Sequence, residues 1–118
     1  MSAKLLNELG LIEIDSDVIA KIAGFEATKC YGVVGMVRKG TRKGLRAMLS
    51  RQAMVEDGIR VRNEGERLVV DLHIEVVFGM NISAVAKSIV NKVRYTVEEA
   101  TGLVVKKVNV FVDGIQPE

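Results

Sequence analysis

The stretch from Leu68 to Phe78 constrains this chain more than any other. Leu68, Val70, Leu72, Ile74, Val76 and Phe78 share one parity, and Val69, Asp71, His73, Glu75 and Val77 share the other. Successive side chains of a strand point to opposite faces, so the pattern describes one long strand with an apolar face and a mostly polar one. Such a strand cannot stand alone. Other elements have to cover its apolar face, and its backbone N–H and C=O groups need partners along both edges.

The nearest partner precedes it. Ile59 and Val61 alternate with Arg60 and Arg62, and Asn63-Glu64-Gly65-Glu66 supplies a short turn. The resulting hairpin sets Arg60 and Arg62 beside Asp71, His73 and Glu75 as cross-strand charge pairs. A cover follows. Asn81 can cap a helix in which Ile82, Val85, Ala86, Ile89, Val93, Val97 and Ala100 form one stripe, with Val90 at its edge and Thr101-Gly102 as its end. A last strand carries Val104, Val108, Val110 and Val112 on one parity and Val105, Lys107, Asn109 and Phe111 on the other. Both parities hold apolar groups, which predicts partial cover on both faces.

Upstream, Leu11–Ile14 reads as a short strand, the first ordered piece. Asp15 and Ser16 are good caps for a helix carrying Val18, Ile19, Ile22, Ala23, Ala27 and Cys30 at helical spacing. Asp17 falls in its first turn, where the helix dipole favours negative charge. Gly24 lies mid-helix at a cost of about 1 kcal/mol relative to alanine, which a close backbone neighbour would explain. Gly32 stands at the helix end, and Val33–Val37 is a further short apolar run. The order is β-α-(β)-β-β-α-β. A hairpin gives antiparallel neighbours and a helical crossover a parallel one, so the expected class is α+β, a small mixed sheet with helices packed on one face. The length suits a single domain, 1–118, with a core of about 11–114 and a basic insertion at 38–54.

That insertion holds Arg38, Lys39, Arg42, Lys43, Arg46 and Arg51, with no acidic residue among them. Leu45–Met54 is a candidate short helix. Three uses fit the six cations. They can be a solvated loop and helix face, a phosphate-neutralising surface for RNA or DNA, or a contact for anionic headgroups or an acidic protein. The net charge of +2 does not choose between them. The chain has three Phe, two Tyr and no Trp, which leaves few platforms on which to stack bases. Gly40-Thr41-Arg42-Lys43-Gly44 resembles the backbone clamp of small RNA-binding domains but has one residue too many.

No catalytic set converges in the sequence. Cys30 lies on an apolar helix stripe, which makes it a core thiol sooner than a nucleophile. His73 is the only histidine, and its carboxylate neighbours on a flat strand converge poorly on a metal. Gly32-Val33-Val34-Gly35 lacks the Lys-Ser/Thr ending of a phosphate loop. No cofactor or metal is expected. With one cysteine there is no intrachain disulfide, which fits a reducing compartment. The N-terminus lacks the apolar core of a signal peptide, and no run is long enough to span a membrane.

Two blocks carry a resemblance. One is Ile12-Glu13-Ile14, then Val18-Ile19-Ala20-Lys21-Ile22-Ala23, ending in Tyr31-Gly32-Val33-Val34-Gly35-Met36. The other joins Gly58-Ile59-Arg60-Val61, Val70-Asp71-Leu72-His73-Ile74, Phe78-Gly79-Met80-Asn81-Ile82, Val97-Glu98-Glu99-Ala100-Thr101-Gly102-Leu103 and Val108-Asn109-Val110. Together they resemble the alkaline-shock-protein family of Gram-positive bacteria. The resemblance implies a non-enzymatic cytoplasmic protein of envelope stress or envelope homeostasis, acting as an interaction or scaffold module. It further implies self-association and a membrane-anchored protein partner that holds it near the membrane. Many relatives carry a glycine-rich stretch where this chain is basic, and that segment gives the alternative function, a nucleic-acid-binding accessory domain.

Overall fold

The computed structural model describes residues 2–30, 32–36 and 58–117. The elements are β1 (Ser2–Asn7), β2 (Gly10–Asp15), α1 (Ser16–Thr28), β3 (Val33–Met36), β4 (Ile59–Glu64), β5 (Arg67–Val77), α2 (Ile82–Thr101) and β6 (Val104–Gln116). The class is α+β with a mixed sheet, as the sequence predicts.

β5 is the centre. Leu68, Val70, Leu72, Ile74 and Val76 are all fully buried. β6 runs parallel to β5 over its whole length, while β4 pairs antiparallel with its first half and β3 with its second. A strand has two edges and β6 occupies all of one, so β3 and β4 must lie end to end along the other. Met36 stands opposite Ile74, and Ile59 opposite Leu72. These two residues are therefore roughly 7 Å apart along β5, although residues 37–58 separate them in sequence. The carbonyl of Gly58 accepts the His73 N–H at 2.8 Å in the gap between them.

Both helices cover the same face of the sheet. α1 lies over β3 and β4, α2 over β6, and the two helices touch each other. The Thr96 hydroxyl of α2 donates to the Glu26 carboxylate of α1 at 3.1 Å. Each helix starts on a side-chain cap. Asp15 accepts the Asp17 N–H at 2.9 Å, and Asn81 accepts the Ala84 N–H at 3.0 Å. The end of α2 is closed by several groups at once. Gly102, at φ +76°, donates its N–H to Glu98 O. The Thr101 hydroxyl donates to Val97 O and accepts the Leu103 N–H, and the Glu98 carboxylate accepts the Val105 N–H.

The structure corrects the sequence pattern at several positions. The α2 stripe ends on buried Thr101, and Ala100 is exposed. Val85, Ile89, Val93, Val97 and Thr101 step by four, so the stripe drifts little along the helix. Thr101 tolerates burial because its hydroxyl has both a donor and an acceptor partner. Val18 and Ile82 lie in the first turns of their helices and are exposed. Phe78 is 64% exposed, because β5 ends at Val77 and the turn through Gly79, at φ +96°, breaks the parity. Gly32, three residues past the α1 cap Lys29, packs under Met80 at φ +93°. In β6 the register skips at Lys106 and again at Asp113. An extra residue shifts every later side chain to the other face, so Val105 and Val108 are both buried while Val104 is exposed.

One strand was not legible. β1 pairs antiparallel with β2, and Leu11–Ile14 is the middle of that second strand. Ala3 is buried, and Leu5 and Ile14 pack against the main core. Ser2-Ala3-Lys4-Leu5-Leu6-Asn7 contains no β-branched run, and only its pairing and the seat of Ala3 make it a strand. At the far end of this hairpin Leu6 and Leu11 face each other across the strands and remain exposed, as does Leu9 in the turn.

Truncation should separate core from cap. Ile74→Ala is expected to cost about 2–5 kcal/mol through lost burial and a residual cavity, and Asn81→Ala about 1 kcal/mol through a lost cap. Urea denaturation of the two variants beside the parent measures both, and equal losses would contradict the central place of β5.

Candidate functional site

The helix-free face of the sheet carries the described polar chemistry. β4 contributes Arg60, Arg62 and Glu64, β5 contributes Asp71, His73 and Glu75, and β6 contributes Lys106, Lys107, Asn109, Phe111 and Asp113. Strand pairing brings these groups together on three strands from two separate parts of the sequence, the β4–β5 hairpin and β6.

Asp71 is the hub. Arg62 reaches it with Nε at 3.2 Å and Nη2 at 3.4 Å, and the Asn109 amide donates to it at 2.8 Å. Burial by itself would raise this carboxyl, but the hydrogen bonds from Asn109 and Arg62, joined by the Arg62 and His73 charges, outweigh it and hold the group below the usual carboxylate range. Arg62 also meets Glu64 at 3.2 Å. Glu64 in turn accepts from Lys106 at 3.1 Å, and that hydrogen bond and charge keep its carboxyl low. The expected cross-strand charge pairing is therefore present between Arg62 and Asp71. Val69, on the same face, is nonetheless only 1% exposed.

His73 lies at the other end of this network. Its Nδ1 is 2.7 Å from the Asp113 carboxylate, and its ring stacks on Phe111 with centroids 4.7 Å apart. A shallow hollow of about 410 Å³ opens there, bounded by Gly58, Arg60, His73 and Phe111. Phe111 and Asp113 were not legible as partners of His73, because only the parallel register of β5 with β6 places them opposite it. Nearby, Gln116 donates to Glu75 at 3.2 Å. No three His, Cys, Asp or Glu side chains converge on a metal-sized site among the described residues.

Cys30 sits apart from this face, buried where α1 meets α2. Its thiol lies 3.6 Å from the Glu26 carbonyl oxygen. Burial pushes the thiol up, and the opposing charge of Lys92 does not cancel that effect. A thiol raised by burial is a poor nucleophile.

The six cations Arg38, Lys39, Arg42, Lys43, Arg46 and Arg51, and the candidate helix Leu45–Met54, lie outside the described residues. What the fold supplies is the root of that segment. Met36 and Gly58 flank His73 along one edge of β5.

A family model described as having cell envelope-related function, that of alkaline shock protein 23, matches residues 4–117. This chain belongs to the alkaline shock protein 23 family. The resemblance carried by the two sequence blocks is thus membership. Within the family it is similar to the uncharacterized protein YloU of Bacillus subtilis, at 40% identity over 98% of this chain and 97% of that one. It is also similar to the uncharacterized protein Spy1614 of Streptococcus pyogenes, at 35% identity over 98% and 96%. A third relative, YqhY of Bacillus subtilis, is 32% identical over 92% of this chain and 78% of its own. Among solved structures, two MamM CTD variants match with TM-score 0.50 at 14% and 16% identity, each covering 87% of this chain. At that identity the likeness shows the fold alone.

Two outcomes follow for this alkaline shock protein 23 family member. A carboxyl held lower in the folded than in the unfolded chain adds stability above its unfolded value of about 3.9, and that contribution disappears as pH falls through the folded value. The urea midpoint of the parent should therefore fall more steeply than that of Asp71→Asn between about pH 5 and about pH 2, with Asp71→Asn the weaker of the two at neutral pH. Parallel curves would remove Asp71 from this role. Cys30 should resist alkylation in the folded chain and react promptly in urea, as followed by mass spectrometry.

Proposed function

We propose that this chain is a non-enzymatic, cytoplasmic module of envelope homeostasis that works by binding other proteins, among them a membrane-anchored one. The observation that carries this reading is the division of its surface. Several polar groups of the open sheet face are bound to one another, with Asp71 held by Arg62 and Asn109, and His73 by Asp113. Large apolar side chains remain outside, including Leu6, Leu9, Phe78 and Ile115. Exposed apolar groups of this size are what a protein partner covers. The family's cell envelope-related function supports the cellular setting. Among the described residues no helix is long and apolar enough to cross a membrane.

The second reading gives the basic segment an anionic target, RNA or DNA. It is favoured by the root of the segment, which returns to the sheet beside Arg60 and Arg62.

Complementation separates a binding module from a catalyst. In a strain lacking this gene and challenged with envelope stress, Cys30→Ala and His73→Ala should each restore tolerance as well as the parent does. Loss of rescue by either variant, with its fold and level intact, would sink the module reading. For the second reading, fluorescence anisotropy of labelled single-stranded RNA and duplex DNA across a salt series is expected to stay flat. Salt-steep binding that disappears when Arg38, Lys39, Arg42 and Lys43 are neutralised would instead establish the nucleic-acid surface.

A further inference from the structure

Among the described residues β6 has a strand partner on one edge alone: β5 lies along one side of it, and no strand pairs with the other. The register skips fall at Lys106 and Asp113, so Lys107–Val112 is an unbroken stretch. The helix beside it does not roof this edge. A groove of about 660 Å³ separates Lys87, Val90 and Asn91 of α2 from Val108, Val110 and Phe111 of β6. Another strand added at the usual spacing of about 4.8 Å would enter along that groove. Val110 and Val112 are only partly buried, and Phe111 and Ile115 are exposed.

The sequence of this edge is complementary to itself. When Lys107-Val108-Asn109-Val110-Phe111-Val112-Asp113 is laid antiparallel on a second copy about Val110, Lys107 meets Asp113 and Val108 meets Val112. Asn109 meets Phe111, and Val110 meets itself. A two-fold axis through an antiparallel pair keeps each sheet face on its own side, so the centre must fall on a residue. Centring on Asn109 instead sets Lys107 against Phe111 and Asp113 against Val105. Centring on Phe111 sets Lys107 against Ile115 and Val108 against Gly114. Only the Val110 register opposes the charges and keeps valine against valine. Lysine on an edge discourages pairing; the Lys107 charge already acts on Glu64 of its own chain, and in this register the partner copy sets a second carboxylate, Asp113, opposite it.

We propose that the occupant of the β6 edge is a second copy of this chain, paired antiparallel about Val110, so that the sheet continues across a two-fold axis. Two Lys107–Asp113 pairs close the seam, and each joins the His73–Asp113 pair at the end of the open sheet face. The partner's valines fill the groove beside α2. This deepens the module reading by naming one partner, yet its test measures assembly and not envelope function. A dimer found in a chain that fails complementation would leave this proposal standing and the module reading lost.

The test uses the whole chain. Directly opposed antiparallel residues have Cα atoms about 4.5–5.5 Å apart, within disulfide range. Val110→Cys in a Cys30→Ala background should therefore oxidise to a covalent dimer, whereas Val104→Cys, opposite residue 116 and not itself, should not. By sedimentation equilibrium, Lys107→Asp should weaken the dimer roughly tenfold or more, because it sets like charges opposite each other at both ends of the seam. The double change Lys107→Asp with Asp113→Lys should restore it. Circular dichroism melting confirms that each variant is folded. A parent that stays monomeric at roughly 100 µM, where mass action favours the pair, would overturn the proposal. So would a dimer indifferent to Lys107→Asp, or one that the double change does not rescue.

Discussion

The structure depends on burying one face of β5 while both its edges are paired. Five aliphatic side chains on that face are almost fully excluded from water. At about 25 cal/mol per Å² of apolar surface this is a large stabilising term, and it is available only if the backbone groups along both edges are satisfied. The other elements can be read as answers to that demand. β6 closes one edge completely. β3 and β4 share the other, which brings the two ends of a long intervening segment back to neighbouring places. The helices do the covering, α1 over β3 and β4 and α2 over β6.

The same pairing makes the open face what it is. Arg62, Asp71 and Asn109 come from three strands, and the in-register meeting of β4, β5 and β6 places them within hydrogen-bonding reach. The bulge at Asp113 works to similar effect. It falls just after Phe111 and Val112, so that His73 has an aromatic ring against it and a carboxylate at 2.7 Å. These groups stabilise the outer layer of the sheet by bonding to one another across the strands. Surfaces for other proteins are then to be sought where apolar groups remain outside, at the hairpin end and along β6.

Much of the fold was legible because burial leaves a periodic mark. The alternation through Leu68–Val76, the four-residue step through Val85, Ile89, Val93 and Val97, and the caps Asp15 and Asn81 are each local and each correct. The differences have two causes. At Phe78 and Val104 a period runs past the point where a turn or a bulge ends it, and a bulge exists only relative to the partner strand; at Ala100 the four-residue step continues instead onto Thr101, a polar residue whose hydroxyl is satisfied. β1 left no periodic mark because its burial is limited to a few contacts.

The sequence by itself determined the class, the order of the main elements, the buried faces and the family, since those follow from composition at fixed spacing and from motifs along the chain. Only the tertiary structure decided which polar groups meet. It paired Asp71 with Asn109 and His73 with Asp113, set β3 and β4 end to end on one edge of β5, and gave β6, among the described residues, a strand partner on one edge alone. Those outcomes depend on strand register, and register is fixed by the fit of side chains between strands far apart in sequence.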